Sequence, residues 1–166
     1  MLCGFYLSWR ATRLDRLYRR VDTSRAALEA ALARRGVAVL ALADTKGCDP
    51  AASRALVDAV EATHRAGGDE RELAESALSG LLRKTLGDEE CPFLAKTLLA
   101  EVADAAKEVH MARTFHNDAV AHTRRARRSP LVRILRLAGR APLPGFFEID
   151  DEPPRLLSVP VDTDPR

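Results

Sequence analysis

Between Arg10 and Ala43, apolar residues fall at Leu14, Leu17, Val21, Leu28, Leu32, Val39 and Leu42. Steps of three, four and seven line one face of an α-helix, whereas a half-buried strand would alternate. No proline interrupts this stretch and Gly36 is its only glycine, marking either a kink or a close contact. Leu14, Val21 and Leu28 keep a seven-residue step, with Leu17 and Ser24 as the matching second set. A repeat near 3.5 residues predicts coiled-coil-like packing.

The pattern breaks between Asp44 and Asp49 and restarts at Asp49-Pro50. An Asp that accepts free N–H groups, followed by a proline in the first turn, predicts a helix start. Leu56, Val57, Val60 and His64 share one side of that helix, which Gly67-Gly68 ends, and Asp69 is expected to cap the next. Leu73, Ala77, Leu78, Leu81, Leu82 and Leu86 form the third apolar face, closed by Gly87. A second long helix is predicted from about Pro92 to Arg128, with a stripe of Leu94, Leu98, Leu99, Val102, Ala106, Val109, Ala112, Phe115 and Val120. Ser129-Pro130 opens a short helix reaching Gly139. The Pro-rich acidic tail, residues 141–166, is expected to be extended and, beyond Asp150, disordered. The expected fold is all-α: a long antiparallel helical bundle over residues 10–140, with short extra helices and an extended C-terminal tail.

Composition narrows this picture. Hydrophobic residues make up 46% of the 166, but aromatics only 5%, so Ala, Leu and Val must build the core. That favours close helices over a sheet, whose strands prefer β-branched and aromatic residues. Cys3, Cys48 and Cys91 lie far apart and form no CxxC pair. They read as small buried hydrophobes or incidental thiols, fitting a reducing compartment, rather than as a disulfide framework or a zinc site.

The net charge of +2 conceals strong segregation. Residues 1–44 carry 8 basic and 4 acidic groups, residues 45–109 carry 8 and 13, residues 110–140 carry 8 and 1, and the tail carries 2 and 6. Such asymmetry bears on partners rather than fold. Residues 1–9 are uncharged and end near Tyr6 and Trp9, and Arg10, Arg13, Arg16, Arg19 and Arg20 follow. Interfacial aromatics followed by a basic run are the pattern of a membrane helix leaving on the cytoplasmic side. Nine residues cannot span, since roughly 20 are needed. The segment is therefore expected to be the end of a longer hydrophobic helix.

Residues 113–120, Arg-Thr-Phe-His-Asn-Asp-Ala-Val, resemble the Arg-x-Phe-Tyr-Asn-x-x-Val core of the LemA family. Pro130 stands near the expected place, and Gly145-Phe146-Phe147-Glu148 looks like a compressed form of that family's closing element. His116 replaces the usual Tyr, and Thr123-Arg124 replaces a second Tyr-Asn pair. The resemblance puts Phe115, His116, Asn117, Val120, Pro130, Gly145, Phe146, Phe147 and Glu148 in the family motif. It implies a helical bundle on one N-terminal membrane helix, at the bacterial cell membrane with its body in the cytoplasm, and no catalytic residues.

Helix geometry adds an independent expectation. Arg10 to Ala43 spans roughly 50 Å as a helix. An antiparallel partner brings Arg124, Arg125, Arg127 and Arg128 beside Arg10, Arg13, Arg16 and Arg19, and places Asp88, Glu89 and Glu90 at the distal end. The paired basic segments would meet an anionic lipid surface, each charge contributing about 1 kcal/mol. Nucleic acid is the alternative partner, but stacking aromatics and a recognised binding motif are missing. An unidentified protein partner could dock at Phe146 and Phe147, which lie outside any amphipathic helix; packing on the bundle is the competing role. Asn117, unfavourable in mid-helix, is expected to set helix register if buried, with a ligand or partner contact as the alternative.

Chemistry is sparse. His110, His116 and His122 stand six residues apart, which rotates each well off its neighbour's face, so they form no metal site. The chain has no P-loop, HExxH, GxGxxG or GxSxG. The expectation is a membrane-tethered scaffold or interaction protein without enzymatic activity or cofactor.

Overall fold

The computed structural model describes residues 2–45, 48–87, 96–134 and 141–152. Five helices follow in order: α1 Leu2–Ala43, α2 Pro50–Arg65, α3 Asp69–Gly87, α4 Lys96–Arg127 and α5 Pro130–Ile134. No strand occurs among the described residues. The protein is an all-α helical bundle.

The helices sit where the periodicity places them, because each start and stop has a local cause. Asp49 caps α2 by accepting the Ala51 and Ala52 N–H groups at 2.9 and 3.3 Å, with Pro50 in the first turn. Gly68 precedes α3 with a φ of 56°, a left-handed conformation that glycine adopts without Cβ strain. Asp69 lies inside the first turn of α3 rather than capping it from outside. There, with Glu70 and Glu72, it complements the positive end of the helix dipole. The expected starts of α4 near Pro92 and the extension of α5 to Gly139 fall outside the described residues.

The chain divides into two compact units, each built from separated segments. Unit 1 contains residues 1–32 and 111–148. In it α1 and α4 run antiparallel: the Thr123 hydroxyl donates to the Leu17 carbonyl at 3.4 Å, and Ser24 meets His116 at 3.3 Å. Val21, Ala119 and Val120 form a buried cluster between the two helices. Leu14, Val21 and Leu28, the seven-residue series, are all buried. Thr123, inward-facing and fully buried, satisfies its hydroxyl by sharing its one proton between the Ala119 carbonyl at 2.8 Å and the more distant Leu17 carbonyl, which is how a polar group is tolerated there.

Unit 2 contains residues 33–110 and 149–166. Its core gathers Val39 and Leu42 of α1, Leu56 and Val60 of α2, Leu78 and Leu82 of α3 and Val102 of α4. Burying each such side chain contributes about 1.5–3 kcal/mol. A Cβ at Gly36 would meet Val60 Cγ1 at 3.6 Å and His64 Nε2 at 3.9 Å, ordinary van der Waals distances, so the packing of α1 on α2 does not require a glycine there. Cys48 packs against this core as a small hydrophobe would, but it is disulfide-bonded, which corrects the expectation that its thiol is unpaired. Spacing along the chain could not reveal this pairing, because it depends on which cysteines folding brings together.

The least expected feature of unit 2 is a buried ion pair. Arg35 and Glu75 are 1% and 3% exposed and form a direct hydrogen-bonded salt bridge. Arg35 also donates to the Ser79 hydroxyl at 2.8 Å, and Arg71 Nε stands 3.7 Å from the second Glu75 oxygen. On the helix surface a charged position normally faces water. Here Arg35 falls on the core-facing side of α1, four residues before Val39, and α3 supplies the counter-charge.

Candidate functional site

Two features of unit 1 carry the candidate site: the arginines at one end of the α1–α4 pair and the tail that crosses them. Between residues 119 and 140 there is no carboxylate, and between 10 and 20 only Asp15, which pairs with Arg19 at 2.8 Å. Arg13, Arg16, Arg19 and Arg20 of α1 are exposed, as are Arg125 of α4, Arg128 in the turn that follows and Arg133 of α5. The Arg10 side chain lies outside the described residues, as do Asp88, Glu89 and Glu90. The antiparallel pairing thus brings both basic segments to one end of unit 1, as the helix geometry predicts.

Arg124 and Arg127 differ from their neighbours. Both are half-buried and hold the tail. Arg124 Nε donates to the Pro144 carbonyl at 2.9 Å, and its guanidinium sits 4.8 Å over the Phe146 ring. Arg127 donates to the Ala141 carbonyl and, at 2.8 Å, to the Tyr18 hydroxyl. Tyr18 in turn donates to the Pro142 carbonyl at 3.3 Å. An extended proline-containing segment has carbonyls with no ladder to join, so arginine and tyrosine donors satisfy them.

Asn117 completes the hold. Its side chain donates to the Phe147 carbonyl at 3.0 Å and accepts from the Phe147 N–H at 2.9 Å. One side-chain amide therefore pairs with both backbone groups of a tail residue, as a neighbouring strand would. Asn117 was expected to set the register of helix against helix; it instead sets the register of the tail against α4. Phe147 is half-buried and Phe146 is 38% exposed beneath Arg124, so both aromatics pack on the bundle in this structure.

The motif residues separate into two groups. His116 and Asn117 on α4 meet the tail residues Gly145 and Phe147, whereas Val120 is buried against Val21 and Ala119. Phe115 is 62% exposed, and Pro130 at the start of α5, Gly145 and Glu148 are also exposed. His116 is 2% exposed; burial pushes its imidazole below the usual histidine range, and the positive charge of Arg25 adds to this. Ser24 and the backbones of Gly145 and Val21 supply its hydrogen bonds.

In unit 2 the next tail residues are held as well. Arg83 donates to both carboxylate oxygens of Asp150 and to the Glu152 carbonyl at 3.1 Å. That bond from Arg83 lowers the Asp150 pKa below the ordinary carboxylate value. Ser76 accepts the Asp150 N–H at 3.0 Å, His110 contacts Asp151 at 3.2 Å, and Ile149 is buried. The tail to residue 152 is thus an ordered extended strap; residues 153–166 lie outside the described residues.

Comparison with known protein families, characterised proteins and solved structures finds no match to this chain. Among the described residues no helix is long and apolar enough to cross a membrane, and no three His, Cys, Asp or Glu side chains are placed to hold a metal ion. Tyr18 and Arg83 anchor the strap without any signal in the chain that marks them. Neither stands in a motif, and their role exists only once the tail lies along the helices.

Proposed function

We propose that this protein is a non-catalytic helical scaffold of the LemA type that engages an anionic membrane surface through the basic end of unit 1. One observation carries the reading: Arg13, Arg16, Arg20, Arg125, Arg128 and Arg133 are exposed in the same unit, drawn from both ends of the chain's helical region. Their segments hold one carboxylate, Asp15, already engaged by Arg19. Positive charges near an anionic leaflet contribute about 1 kcal/mol each, enough together for reversible association. The scaffold role draws support from the strap, whose residues 141–148 are held by side chains of unit 1 and residues 149–152 by side chains of unit 2.

The test is co-sedimentation with vesicles of phosphatidylcholine alone and of phosphatidylcholine mixed with phosphatidylglycerol. Binding only to the mixed vesicles, released by salt, is the expected result. Equal indifference to both lipids would remove the membrane reading. Tight salt-sensitive binding to duplex DNA, with no vesicle binding, would favour the nucleic-acid alternative.

A further inference from the structure

A groove of about 530 Å³ opens in unit 1 between α1, the end of α4 and α5. Leu14, Leu17, Ala126 and Val132 give it an apolar floor, and Arg13, Arg20 and Arg125 stand around it. Leu14 and Val132 are buried, while the three arginines are exposed. Among the described residues no carboxylate lines the groove. Its size lies within the range of small-molecule sites, about 300–1,000 Å³.

The two surfaces ask for different parts of one ligand. Three guanidinium groups without a lining counter-ion favour a phosphate, whose oxygens match the planar donor fork of arginine. A bare phosphate would leave the leucine and valine floor in contact with water. A phosphodiester continuing into glycerol and the first acyl carbons would cover that floor while its charge stays at the rim. Neither Arg124 nor Arg127 is needed, since the strap already holds both.

We propose that this groove is a headgroup site for an anionic phospholipid. The inference rests on the membrane reading above and deepens it: the basic end would seat one lipid headgroup rather than only attract a charged surface.

Ala126→Leu separates the two ideas, because it fills the floor and leaves every charge in place. His122, which also lines the groove, reports occupancy through its ring resonances. The experiment titrates short-chain phosphatidylglycerol below its micelle concentration, with inorganic phosphate as the second probe. Saturable shifts at His122 with the lipid, weak shifts with phosphate, and loss of short-chain lipid binding with weakened vesicle binding in Ala126→Leu are expected. Equal affinity for inorganic phosphate would overturn the lipid assignment.

Arg125→Gln, at an exposed position, guards against a folding defect in the first variant. It should weaken lipid binding about tenfold, as for a lost charge-assisted hydrogen bond, against about fivefold or less for Arg128→Gln outside the groove. Wild-type vesicle binding by Ala126→Leu, with equal losses in the two arginine variants, would sink the groove and leave surface attraction standing. Saturable short-chain lipid binding without any vesicle affinity would keep the groove and end the membrane reading.

Discussion

Two buried polar residues decide how unit 2 and unit 1 respond to substitution. Arg35→Ala leaves the Glu75 carboxylate buried without its main partner and should destabilise the protein by about 3–5 kcal/mol. The double variant Arg35→Met, Glu75→Leu removes both charges at similar volume and should recover most of that loss, because desolvation opposes much of what a buried pair contributes. Urea denaturation of the three proteins checks this; a double variant as unstable as the single would show that the pair is worth more than its hydrophobic replacement. His116 makes a pH prediction. Its folded pKa lies below its unfolded value of about 6.5. The unfolded state therefore binds more protons as the pH falls past that value, and stability present above about 6.5 should decline on acidification toward the folded pKa. Arg25 and Glu29 both act on this ring, the first lowering and the second raising its pKa. In His116→Gln the acid-side slope between pH 6.5 and the folded pKa should flatten, measured by melting temperature against pH.

At the scale of elements, the helices were legible in the chain and the strap was not. The cap at Asp49-Pro50, the glycines before α3 and the unbroken periodicity of α1 act within a few residues, so sequence alone locates them. The described part of the tail, residues 141–152, has no periodicity and no backbone–backbone hydrogen bonds of its own. Its conformation depends on donors from residues far away in the chain, Tyr18, Asn117, Arg124 and Arg127, and no local pattern announces them. Asn117→Ala removes both bonds to Phe147 and should cost about 1–3 kcal/mol of strap docking, because it leaves two backbone groups without that partner. Hydrogen exchange at the Phe147 amide should accelerate while amides in the buried part of α2 stay protected. Unchanged exchange at Phe147 would mean that Arg124, Arg127 and Tyr18 suffice to hold the strap.

For the whole molecule, charge segregation matters more than its net value of +2. Attraction through the basic end of unit 1 should weaken steeply with salt, and vanish near 1 M, where the screening length is about 3 Å. Deleting residues 141–166 frees Arg124 and Arg127 from their tail carbonyls and removes a segment with 6 acidic and 2 basic groups. The truncated protein should therefore bind anionic vesicles more tightly, by about fivefold for each arginine released. Weaker binding after truncation, in a protein that still shows its helical circular dichroism, would mean that the tail itself contributes to the contact.

The amino-acid sequence by itself determined the helical class, the core faces of α1 and α2, the cap of α2 and the presence of two basic segments. Those properties follow from periodicity, local hydrogen bonding and composition, all of which act over one or two turns. Only the tertiary structure decided that Arg35 is buried on Glu75, that Cys48 is disulfide-bonded and that Leu73 and Phe115 stay exposed. It also decided which arginines hold the strap and which face outward, since Arg124 and Arg125 are adjacent in the chain and serve different surfaces. The reason is geometric: a helix turns about 100° per residue, so neighbours point apart, and what each one meets is set by the segments that folding brings against it.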